Sequence, residues 1–216
     1  MTLAHRLMTL FAAVVLLGPA AALAQGGIDP QGKYELIDPP QPTDTPGKVE
    51  VLDVFWYGCP HCFSFLPAME AYEASKPDYV EIRRMPAIFR QNWEIHARAY
   101  YTASLLNVVE RIHRPLFEAI HNKKQTLDTR ESLRAFFIAN GADGEAFDKT
   151  FDSFAVETLL RKSTVMQGRY GVRGTPSVIV NGKYRVSASL AGGYEQMVQV
   201  ADALAAREHK AKLAAK

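Results

Sequence analysis

The chain has 216 residues, 48% of them apolar, with 25 Lys and Arg against 23 Asp and Glu. So even a charge balance, with no basic patch standing out, argues against nucleic acid as a partner. A chain of this length builds a hydrophobic core without staples; its two cysteines, Cys59 and Cys62, close too short a loop to stabilise it through chain entropy, and point instead to chemistry.

The N-terminus reads as an export signal. His5 and Arg6 precede an apolar run over 10–17, Gly18-Pro19 breaks it, and Ala22-Leu23-Ala24 forms a small-x-small site that predicts cleavage after Ala24. The apolar run is too short to remain as a bilayer span, no cysteine follows it to carry a lipid, and no second stretch of membrane length appears. The expected mature protein, from Gln25 onward, is therefore not itself transmembrane.

Tyr34 to Ile37 is a candidate short strand, followed by a proline-rich loop over 38–47. Val49 to Trp56 is β-branched and aromatic, the profile of a buried central strand, and Gly58 ends it. A helix is expected from His61 through Ala74, kinked at Pro67, then a second strand from Tyr79 to Met85 closed by Pro86. From about Asn92 to Tyr170 the strand signal vanishes and apolar residues recur at helical spacing: Trp93, Ala97, Tyr100, later Leu116, Phe117 and Ile120. Asp128 and Glu131, three apart, read as a capping box, with Gly141 as the helix stop. A further helix is expected over Ala155 to Met166. Strands return as Ser177–Val180 and Lys183 to Val186, joined by Asn181-Gly182, a hairpin signal. Tyr194 to Leu213 closes the chain as a helix, with Arg207 to Lys216 read as its frayed, solvated end. The fold class is α/β: one layer split over 28–87 and 171–216, with an all-helical insertion over 88–170 and the leader at 1–24.

Cys59-Pro60-His61-Cys62 sits where the central strand gives way to a helix. A thiol attacks a disulfide as thiolate, and the start of a helix, with unsatisfied N–H groups and the positive end of the dipole, stabilises one there. Cys59 is then the nucleophile and Cys62 the resolving thiol, one turn further in. Pro60 restricts the turn and leaves one N–H fewer to satisfy. His61 offers positive charge or an N–H donor near the Cys59 sulfur. Half a zinc site is the rival reading, but no second cysteine pair exists and the histidines form no paired motif, so no metal is expected.

Phe55 to Cys62 (FWYGCPHC) resembles the active-site stretch of the periplasmic DsbA family of disulfide oxidases, and Gly171 to Val178 (GVRGTPSV) resembles the loop in which thioredoxin-fold proteins keep a cis proline beside the dithiol. The order of elements resembles that family over nearly the whole mature chain. The resemblance implies a thioredoxin fold with an inserted helical domain, and a periplasmic monomer that donates the Cys59–Cys62 disulfide to reduced, unfolded secreted proteins. It implies no soluble cofactor, with reoxidation by a quinone-linked membrane oxidase of the DsbB type. It makes Pro176 the cis proline and Thr175 a substrate contact through its backbone. Asp53 stands six residues before Cys59, where the family commonly has a buried glutamate; a carboxyl there titrates high and relays protons to the resolving thiol, though aspartate is shorter by one methylene. Arg84 or Arg83 is available to offset its charge, a solvated pair being the default. The alternatives are an isomerase or reductase of the same fold, or a peptide-binding holdase that does not use its thiols. Isomerases of this class usually carry an N-terminal dimerisation domain, and about thirty residues between the cleavage site and the strand are too few for one.

Overall fold

A β-branched run covered on both faces should be buried along its length, and β2 (Val49–Phe55) is. In the computed structural model, which describes residues 28–215, β2 is the hub of the sheet. It pairs in parallel with β3 (Val80–Pro86) through α1 (Pro60–Ser75), and antiparallel with β4 (Ser177–Val180). β5 (Tyr184–Val186) and the two-residue β1 (Glu35–Leu36) complete the order β1-β5-β4-β2-β3. The leader and its cleavage site fall outside the described residues.

Between β3 and β4 come a 3₁₀ turn (Gln91–Trp93) and five helices: α2 (Glu94–Leu105), α3 (Val109–His121), α4 (Arg130–Ala139), α5 (Gly144–Phe151) and α6 (Phe154–Arg169). α7 (Ala188–Ala191) and α8 (Tyr194–Ala214) follow β5. Side chains alternate along β2. Val49 and Val51 face the core made with Phe65 and Met69 of α1 and Val200 and Leu204 of α8, while Leu52 and Val54 face Met166 and Tyr170 at the end of α6. Phe55 reaches a third core with Tyr100, Leu116 and Phe117 of the inserted helices, so the end of β2 is where the two parts of the protein meet.

Asn181 and Gly182 both take left-handed backbone (φ 50° and 66°), the conformation a two-residue hairpin requires. A Cβ at Gly182 would overlap the Gln41 carbonyl, so the turn also depends on close approach to the proline-rich loop. The α4 cap lies one residue beyond the Asp128–Glu131 box: Thr129 is the N-cap and exchanges hydrogen bonds with Ser132. Of the C-terminal stretch expected to be solvated, Arg207 to His209 are docked, while most residues over 210–215 are exposed. Glu208, 5% exposed, accepts hydrogen bonds from Asn181, Lys183 and Tyr184. The Arg207 guanidinium lies 4.7 Å from the Tyr184 ring centroid, and His209 stacks on Tyr79 at 4.0 Å. Ala201 and Ala205, both fully buried, let α8 lie close to the sheet, so that these long side chains reach back onto it.

Candidate active site

Helix α1 begins at the end of β2, and Cys59 is its N-cap with extended backbone (φ −86°, ψ 115°). Its N–H donates to the Trp56 carbonyl at 3.0 Å, closing the turn, and Pro60 opens the helix without a surplus donor. A capping residue points its side chain at the free N–H groups of the first turn; here the acceptor is sulfur, with Cys62 N–H 3.4 Å from Cys59 Sγ. Both cysteines are free thiols and both are buried, at 7% and 3% exposure.

The two thiols are displaced in opposite directions. Cys59 is lowered to about 5: the hydrogen bond from the Cys62 thiol contributes most, and Thr175 and the backbone N–H groups of Cys62 and His61 add to it, against the opposing effect of burial. Burial pushes the Cys62 thiol far up, and the hydrogen bond and charge of Cys59 push it further. One sulfur holds an anion; the other holds its proton.

The Thr175-Pro176 bond is cis, and the Thr175 carbonyl lies 3.4 Å from Cys59 Sγ, so the loop before β4 faces the dithiol. His61 is exposed on the first turn of α1, and its Nδ1 lies 2.9 Å from Tyr194 Oη at the start of α8. Among the bonds that lower the Cys59 thiol, His61 takes part through its backbone N–H.

Asp53 is 4% exposed, and alternation along β2 puts it on the face that α1 covers. Its Oδ1 has no hydrogen-bond partner, and burial raises its carboxyl to about 7, offset in part by Arg84 and reinforced by Glu73. The solvated arginine pair is not what forms. Arg84 is the register partner of Asp53 on β3 and its side chain is 10% exposed, tied to Glu73 of α1; Arg83 turns the other way, to Asp44 and Glu50. Parallel pairing in register fixes which of two adjacent arginines shares the face of Asp53.

Four residues of the inserted segment shape the site without a signal near the motif. His121 Nε2–H donates to the Tyr57 carbonyl at 2.7 Å, and His113 Nδ1 pairs with Tyr57 Oη at 3.0 Å. Phe117 packs against the Tyr57 ring with centroids 4.9 Å apart, and Trp93 stacks on Trp56 at 3.9 Å. Tyr194 was likewise invisible, lying 133 positions beyond His61.

A dithiol at a helix N-terminus, opposite a cis-proline loop in this sheet order, defines a thiol–disulfide oxidoreductase of thioredoxin fold. A family model described as a DSBA-like thioredoxin domain matches residues 84–205. The thiol:disulfide interchange protein DsbA of Azotobacter vinelandii is 37% identical over 193 residues, 89% of this chain and 90% of that protein, a span long enough that it necessarily includes Cys59 and Cys62. DsbA of Pseudomonas aeruginosa strain PAO1 is 37% identical over 83% of this chain and 85% of its own. The crystal structure of Pseudomonas aeruginosa DsbA superposes with a TM-score of 0.80 at 36% identity, covering 84% of this chain and 94% of that one. The chain belongs to the DsbA family of thiol:disulfide interchange proteins.

Proposed function

We propose that this oxidoreductase works as a disulfide donor to secreted proteins in the periplasm, and that the opposite displacement of its two thiols sets that direction. A client thiolate attacks Cys59 Sγ of the Cys59–Cys62 disulfide; a mixed disulfide forms and Cys62 leaves with the electron pair of the broken S–S bond. The Cys62 thiolate, disfavoured by burial, takes a proton, and we assign its supply to Asp53, a reading supported by the burial of that carboxyl on the α1 face of β2 and its rise to about 7. The client's second thiolate then attacks the client sulfur of the mixed disulfide, and Cys59 departs as a thiolate. Two electrons pass from client to protein.

Because Cys59 is an anion when reduced, it leaves readily and the dithiol form is stabilised, which makes the disulfide oxidising. Pro60 shapes the turn, His61 contributes its backbone N–H, Pro176 holds the facing loop, and the backbone of Thr175 pairs with the extended client. The dithiol is reoxidised by a quinone-linked membrane enzyme of the DsbB type, which takes up the two electrons; no soluble cofactor enters, and the protein acts as a monomer. No helix among the described residues is long and apolar enough to cross a membrane.

Equilibration of the dithiol with glutathione tests the direction of transfer. A donor gives a potential well above that of thioredoxin, about −270 mV; a value near thioredoxin's rejects the reading in favour of a reductase.

A further inference from the structure

Tyr194 has no part in the exchange chemistry, yet its hydroxyl is 2.9 Å from a ring nitrogen of His61, which lies between the two cysteines. Its position is prepared. Gly192 and Gly193 take φ of 99° and 147°, which turns the chain sharply between α7 and α8 and makes Tyr194 the first residue of α8. The Tyr194 ring lies 5.9 Å from that of Phe65 on α1, so the phenol is braced by the helix that carries the dithiol.

An imidazole N–H or imidazolium beside a thiolate lowers the thiol's pKa. With Nδ1 occupied by a phenol, the ring is held toward α8. We propose that Tyr194 is a positioning residue that fixes the orientation of the His61 ring beside the dithiol and so tunes how oxidising the protein is. The tether is a single hydrogen bond on an exposed side chain, weak enough to be released when a client or the reoxidising enzyme docks over α1 and the loop at Thr175. Burial raises the Tyr194 phenol and the charges of Cys59 and Cys62 raise it further, so the hydroxyl that holds the His61 ring lies within electrostatic reach of both sulfurs. The proposal rests on Cys59 being the low-pKa nucleophile.

Tyr194→Phe keeps the ring against Phe65 and removes the tether. Thiolate absorbance against pH is measured for the wild-type protein, Tyr194→Phe, His61→Ser and the double variant, together with the glutathione equilibrium of each. Releasing the imidazole should move the Cys59 midpoint by roughly half a unit to one unit, shifting the glutathione equilibrium about threefold to tenfold. In the His61→Ser background the same phenol deletion should change nothing. A Tyr194→Phe midpoint equal to wild type, or an equal shift with and without His61, overturns the tether. A wild-type Cys59 that titrates like a free thiol instead overturns the nucleophile assignment on which the tether depends.

Discussion

Replacing Asp53 with asparagine should stabilise the protein at alkaline pH and lose that advantage in acid. The carboxyl is 4% exposed, its Oδ1 is unpaired, and burial raises it from 3.8 to about 7. A carboxyl raised on folding binds its proton more tightly in the native state, so ionising it costs stability. That cost is absent below the unfolded value near 4, grows between pH 4 and 7, and is complete above 7. A rise of that size corresponds to about 4 kcal/mol, a large part of the roughly 5–15 kcal/mol that holds a domain together. Asparagine is nearly isosteric and uncharged, so its own packing cost is the same at every pH. The difference between variant and wild type should therefore swing by about 3–4 kcal/mol in favour of the asparagine variant between pH 4 and pH 8.5. Urea unfolding of both reduced proteins at the two pH values measures it, because the remaining titrating groups are common to both and drop out. A difference that stays constant with pH would refute the buried, high-titrating carboxyl and with it the proton donor for Cys62.

Two further substitutions test the site from other sides. The Cys62 thiol is the largest single contributor to the low Cys59 value, so Cys62→Ala should raise the Cys59 midpoint by about one unit or more while Cys62→Ser, which keeps an O–H donor, raises it less; thiolate absorbance distinguishes them, and equal midpoints would remove the hydrogen bond from the account. A Cβ at Gly58 would overlap the Trp56 indole, which is stacked on Trp93 at 3.9 Å, so Gly58→Ala should cost about 1–3 kcal/mol and change the tryptophan fluorescence; unaltered unfolding and emission would show that the indole moves aside freely.

The parts legible in the sequence are those decided by local patterns. Valines with Leu52 and Phe55, on both alternating faces, mark β2 as a strand covered on both sides, and Asn181-Gly182 marks the hairpin because two consecutive left-handed residues have few other uses. The dithiol announces itself through its spacing and its place between strand and helix. The contacts that tune it come from elsewhere in the chain: Tyr194, His113 and His121 reach the motif only after three layers pack, and as isolated aromatic or histidine residues they are indistinguishable from core or surface. The shifted α4 cap has a local cause, since Asp128 and Thr129 are both good capping types and Ser132 completes the box with the second. A basic C-terminal stretch looks solvated until Glu208 is found holding the hairpin.

The inserted helices have a physical task beyond enlarging the surface. Tyr57 leads directly into the dithiol turn, and its ring is 1% exposed, which leaves a phenol and a carbonyl to be satisfied away from water. The sheet cannot supply both partners, because β2 ends at Phe55. α3 supplies them, with His113 for the phenol, His121 for the carbonyl and Phe117 against the ring, from residues spaced four apart along one helical face. Burial keeps His113 neutral, so the contact adds no charge beneath the thiols. Trp93, from the turn before α2, covers the Trp56 ring by stacking and leaves its buried indole N–H unpaired. The turn that presents Cys59 is thus clamped by elements that come after β3. A sheet that stopped at β2 and β3 would leave Tyr57 wet and the cap residue free to move, and the low thiol of Cys59 depends on that cap holding its sulfur within reach of the Cys62 N–H.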